Sequence, residues 1–179
     1  MYRETTHVPL ILSLPFRLEP GVTVERITRN VDIWPTILDL LGLPPMEGAD
    51  GRSQRPAILA AARGEAPPPA EEPAYAHLDR TWGQRSLDPA PTVSLVDGPY
   101  RYVRTPLRGG APGEELFDTS RDARELADVS AEHPDVVERL REMTDRYLES
   151  EPTWAEGAPA LEIDEMQLQQ LRALGYKVP

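Results

Sequence analysis

The stretch Asn30 to Ser53, NVDIWPTILDLLGLPPMEGADGRS, constrains the chain more than any other. Asp32 has the side chain of a helix N-cap, and Pro35 falls in the first turn, where a helix needs no backbone donor. Ile33, Trp34, Ile37, Leu38 and Leu41 recur at helical spacing and form one wide apolar stripe. Gly42 is a helix stop, and Pro44-Pro45 prevents resumption. A proline-rich turn then leads to Asp50-Gly51, a tight-turn dipeptide. The expectation is a buried helix with a hard stop, followed by a shaped surface loop. Such a unit is structural rather than catalytic.

Bulk properties exclude several functions. A chain of 179 residues can bury one real core. The net charge of −11 argues against nucleic acid, whose phosphates call for Lys and Arg, and against anionic membranes. Lys177 is the single lysine, so nearly all positive charge is arginine. With no cysteine there is no disulfide, thiol nucleophile or thiolate metal site. No run approaches the roughly 20 apolar residues of a membrane span. The first residues do not read as a signal peptide.

Taken in order, the chain reads as α+β. Val8 to Leu14 (VPLILSL) is a nearly continuous apolar run, as in a strand of a parallel sheet covered on both faces. A parallel strand needs neighbours, so residues 1–65 read as the tail of a larger α/β sheet domain: strand, helix and loop, with a short helix over Pro56 to Ala62. The proline-rich segment Ala66 to Pro73 (APPPAEEP) is a stiff linker and the expected boundary. Residues 74–179 then form a small subdomain. Four strands are expected, at Ala74 to Asp79, Thr92 to Asp97, Tyr100 to Thr105 and Glu114 to Asp118. Asp97-Gly98 marks a hairpin between the middle two, and Arg108 to Gly113 a loop. Pro134 opens a helix whose face Val136, Val137, Leu140, Met143, Tyr147 and Leu148 should lie across this antiparallel sheet, with Pro152 ending it. A last helix runs from about Asp164 to Leu174 and stops at Gly175.

Several of these blocks resemble sulfatases, of the alkaline phosphatase superfamily. VDIWPTILDLLGLPPMEGADGRS is similar to the segment V-D-[IL]-x-P-T-[IL]-L-[DE]-L-x-G-[LI]-P near the end of their catalytic domain, and YRETTHVPLILSLP to the strand before it. Val93 to Val103 resembles the hairpin of their C-terminal subdomain, whose lysine aligns with Arg101 or Tyr102. Glu115-Leu116-Phe117-Asp118 and Asp122 to Leu126 resemble E-L-[YF]-D-L-x-x-D-P-x-E-x-x-N-L, with Ala123 in place of proline and Ala127-Asp128 in place of Asn-Leu. LRALGY is similar to a frequent sulfatase ending. The resemblance implies the C-terminal part of a sulfatase, a sulfuric ester hydrolase. In the family a formylglycine from C/S-x-P-S-R attacks sulfur beside a calcium ion. This chain has neither that signature nor the aspartate segments that hold the ion, so no catalytic or metal residue carries over and the chain alone is expected to be inactive. Calcium is expected in a full-length relative, none in this chain. The expected partner is an N-terminal catalytic half, with self-association through exposed apolar surface in its absence. The alternatives are that the parent is a phosphonate or phosphodiester hydrolase of the superfamily, or that the chain is a non-catalytic interaction module or a truncated gene product.

Among individual residues, Asp32 and Asp39 lie two helical turns apart and read as N-cap and exposed helix face, and Asp50 as a turn residue. His7 precedes a strand, and His133 a helix entrance. His77, Arg80, Trp82 and Arg85 crowd into one short segment, HLDRTWGQR. It reads first as a solvated loop between strands. Its alternative role is at the rim of a substrate cleft, gripping a sulfated or sugar-like molecule by charge-assisted hydrogen bonds and stacking.

Overall fold

The computed structural model describes residues 1–13, 21–70, 72–79, 90–106, 112–150 and 165–173. The chain divides into two units, Met1–Thr144 and Asp145–Pro179. The first holds a short helix α1 (Arg3–Thr6), a 3-10 turn at Asn30–Asp32 that leads into α2 (Ile33–Leu41), and α3 (Arg55–Ala62). Four strands follow: β1 (Ala74–Asp79), β2 (Pro91–Asp97), β3 (Tyr100–Thr105) and β4 (Gly113–Asp118). Helix α4 (Pro134–Glu149) begins in the first unit, and α5 (Glu165–Ala173) lies in the second.

The strands form one antiparallel meander in the order β1-β2-β3-β4. Asp97 pairs with Tyr100, leaving Gly98 and Pro99 as a two-residue loop. Gly98 has φ +57°, the backbone that a type II′ hairpin asks of its first loop residue. Alternation then sorts side chains to two faces. On one, Leu95, Tyr102 and Leu116 are fully buried and pack with Val137 and Leu140 of α4, flanked by Tyr75, Tyr100, Val129, Val136 and Met143. The expected helix face therefore lies across the sheet, at Val136, Val137, Leu140 and Met143. The other face presents Ser94, Val96, Arg101, Val103 and Phe117, also buried. There the N-terminal segment contributes cover: the Tyr2 ring meets Phe117 edge-on at 5.9 Å.

Helix α2 ends as its sequence dictates. Gly42 is left-handed at φ +69°; its N–H donates to Asp39 O and the Leu43 N–H to Leu38 O. The following loop departs from expectation. Its turn glycine is Gly48, φ +70°, whereas Gly51 sits where the chain grazes the helix entrance. A Cβ on Gly51 would lie 1.8 Å from the Val31 carbonyl oxygen.

Two expectations are corrected. Residues 8–13 form no strand, and Ile11 is 86% exposed. An apolar run becomes a covered strand only beside neighbouring strands, and none of the described residues pairs with it. Helix α2 forms but is not buried: Thr36 is its one buried residue, and Trp34 is 63% exposed. The same physics applies, since α3 and the 50–54 loop meet only one side of it.

Candidate functional site

Three polar clusters organise the described residues, and the first surrounds Asp32. Its side chain is 2% exposed and does not cap α2. The carboxylate instead accepts the Arg29 backbone N–H (3.0 Å) and guanidinium (Nη2, 2.8 Å), the Arg52 N–H (2.9 Å) and Gln54 Nε2 (3.1 Å). Burial alone would push this carboxyl up. The bonds from Arg29 and from the Arg52 amide outweigh it and hold Asp32 below the usual range. Thr36 Oγ1 donates to Asp32 O (2.6 Å) and accepts the Gln54 N–H (2.9 Å). Ser53 Oγ donates to Asp39 (2.6 Å), which also meets Arg55. Asp32, expected as an N-cap, is thus the knot that ties the helix entrance to the loop twenty residues later.

The second cluster lies on the sheet face away from α4. Arg101 Nε donates to Glu125 Oε1 at 2.6 Å, with side-chain exposures of 10% and 0%. Arg101 Nη1 donates to Ser94 Oγ (2.9 Å) and Thr6 Oγ1 (3.1 Å), and the Arg3 N–H donates to Glu125 Oε2 (2.7 Å). Glu125 holds φ +54°, a conformation that costs a non-glycine residue. The turn is held by Asp122, whose carboxylate accepts the N–H groups of Arg124, Leu126 and Ala127. Arg101 forms an ion pair with buried Glu125, while Tyr102 points to the α4 face. The pair joins two resembling motifs, and only the fold shows that they meet.

The third cluster edges the α4 face. Arg141 donates to both Glu114 oxygens at 2.7 Å, and Tyr102 OH also donates to Glu114. Arg141 also pairs with Glu138. The Arg141 hydrogen bonds hold the Glu114 carboxyl low, and burial followed by Glu114 pushes the Tyr102 phenol up. Beside them is an open groove of about 370 Å³ lined by Glu114, Ser130, Ala131, Pro134, Val137, Glu138 and Arg141.

None of these clusters has the makings of a nucleophile or a metal centre. Among the described residues no group of three or more His, Cys, Asp or Glu is placed to hold a metal ion. Asp32 is ringed by donors from Arg29, Arg52 and Gln54, and Glu125 takes one nitrogen donor on each oxygen, so neither stands in the set of several oxygens that calcium takes. The histidines are scattered. His133 precedes α4 as expected, its ring tilted against Tyr100 at 5.5 Å. His77 is exposed near the end of β1, opposite Val93. Its expected companions Arg80, Trp82 and Arg85 lie outside the described residues.

Residues 1–150 match the protein family described as N-sulphoglucosamine sulphohydrolase, C-terminal. The chain belongs to this sulfatase family. Arylsulfatase K of Gallus gallus is 31% identical over 144 residues, covering 78% of this chain but 25% of that protein. The N-acetylglucosamine-6-O-sulfatase of Bacteroides thetaiotaomicron is 24% identical over 158 residues, covering 85% of this chain and 27% of that protein. The crystal structure of Ps i-CgsB shares the fold, with a TM-score of 0.57 at 18% identity over 89% of this chain and 31% of that one. The sulfatase C-terminal chain thus spans about a quarter of the length of the curated relatives it matches.

Proposed function

We propose that this chain is the C-terminal portion of a sulfatase acting on sulfate esters, whose nucleophile and calcium site belong to the part of the relatives' length that it does not span. The observation that carries the reading is the family match over residues 1–150. The outward apolar side of α2 supports it. Val31 in the 3-10 turn before the helix, Trp34 and Leu41 on it, and Leu43 and Met46 in the loop after it are exposed, a surface suited to packing against a catalytic half. The substrate class we infer is a sulfated sugar, since the matching family is described as N-sulphoglucosamine sulphohydrolase and one similar protein as N-acetylglucosamine-6-O-sulfatase. His77, Arg80, Trp82 and Arg85 are our proposed rim contacts, the arginines meeting a sulfate or carboxylate and Trp82 stacking on a ring.

The test compares this chain with a fusion to its upstream half, using an aryl sulfate and an aryl phosphate with calcium or manganese added. The expected result is no turnover by the chain alone and sulfate release by the fusion. Turnover by the stringently purified chain would overturn the division of labour, and hydrolysis of the aryl phosphate without the aryl sulfate would move the parent to the phosphorus-ester hydrolases of the superfamily. In the fusion, replacing Arg80 and Trp82 by Ala should raise KM with little change in kcat, because contacts kept through the reaction affect binding. The expected rise is about tenfold, for roughly 1.5 kcal/mol per lost charge-assisted bond.

A further inference from the structure

The connector between the helix–loop module and the sheet is too proline-rich to fasten itself. Pro67, Pro68, Pro69 and Pro73 have no N–H to donate, so half of residues 66–73 can be held only through carbonyl oxygens and side chains. Both routes are used. Glu72 accepts Arg29 Nη1 at 2.6 Å through one oxygen and Arg52 Nε at 2.7 Å through the other. Four residues earlier, Arg26 Nη1 donates to the Pro68 carbonyl at 3.0 Å. The two arginines that grip Glu72 are themselves fixed. Arg29 is bound to buried Asp32, and the Arg52 backbone donates to the same carboxylate. Glu72 is therefore the outer end of a relay that starts at a buried group. Ala74, the first residue of β1, follows two positions later.

We propose that Glu72 is a pin that seats the 66–73 connector on the Arg29–Asp32–Arg52 knot, so that the connector is a brace rather than a hinge. The prolines make the brace effective. A proline-rich segment held at Pro68 and Glu72 has little freedom left, whereas a Gly/Ser linker held at the same points would still bow. The direction in which β1 leaves the module is then set by side-chain geometry. This holds whichever ester the parent enzyme cleaves.

Hydrogen exchange on the full chain tests the brace, read at the backbone amides between Ala66 and Tyr75. Glu72→Ala should speed exchange there about three- to tenfold, the scale of two partly exposed ion pairs, while the β2–β3 amides stay protected. Glu72→Gln, which keeps an acceptor but loses the charge, should fall between. Arg52→Gln, which removes one of two arms, should have the smaller effect. Arg63→Gln breaks the neighbouring Arg63–Glu65 pair and should change nothing. Connector exchange unchanged in Glu72→Ala, or raised equally by Arg63→Gln, overturns the proposal. If Glu72→Ala does not fold, the wild-type chain is moved from low to high salt: faster exchange confined to the connector supports the pin, and no change refutes it.

Discussion

A buried ion pair contributes little net stability while intact, because desolvation offsets its attraction, yet losing one partner leaves an unpaired charge behind. Arg101 and Glu125 are in that position, since each also holds the N-terminal segment through Thr6 or Arg3. Glu125→Gln should cost about 3–5 kcal/mol in a urea titration. A loss below about 1 kcal/mol, the scale of a surface pair, would mean that the site is wetter than its burial indicates. Gly51 sets a second residue-scale limit. With 1.8 Å between a would-be Cβ and a backbone oxygen, Gly51→Ala must displace either the loop or the helix entrance. It should destabilise by about 2 kcal/mol or more, judged against overpacked core sites. The sequence marks these residues only by type. Asp32 looks like an N-cap because it precedes a helix, and nothing local says that donors twenty residues away saturate it. Glu125 likewise reveals its role only through a partner 24 positions distant.

Elements whose information is local were legible. All four strands, the hairpin at Asp97-Gly98, the Gly42 stop and the Pro134 helix start follow from alternation, turn chemistry and capping within a few residues. What failed was burial, because it depends on what else is present. Val8 to Leu14 reads as a covered strand and α2 as a buried helix, yet described residues 8–13 are irregular and α2 buries only Thr36. The reading of α4 succeeded because its apolar face and the sheet that receives it are both in this chain. Leu140 is fully buried against that sheet. Leu140→Ala should therefore lower stability by about 2–5 kcal/mol. Leu126→Ala, at a position 74% exposed, should stay within about 0.5 kcal/mol. Equal melting temperatures for the two variants would contradict the packing described.

At the scale of the whole molecule, charge and exposed apolar surface set the solution behaviour. Asp32, Glu114 and Asp128 all have lowered carboxyls. For Asp32 and Asp128, burial pulls upward and is outweighed by hydrogen bonds, from Arg29 and the Leu116 N–H respectively. For Glu114 the Arg141 bonds lead. Each folded carboxyl lies below its unfolded value, so its contribution is complete above the ordinary range near about 4 and disappears as pH falls through the folded value. Stability should be level above about pH 5 and drop on acidification, and a urea midpoint rising between pH 5 and 3 would contradict this sign. In the level region a net charge of −11 keeps chains apart, while Val31, Trp34, Leu41, Leu43 and Met46 draw them together. Salt should tip the balance, because screening weakens the repulsion and leaves apolar contact intact. The isolated chain should thus bind a hydrophobic dye and associate increasingly as salt rises. Trp34→Gln should reduce both effects without lowering the melting temperature, since that side chain is already mostly in water. A dye-silent monomer at high salt would show that the α2 stripe is covered by this chain itself, and that it is not the surface a catalytic half would occupy.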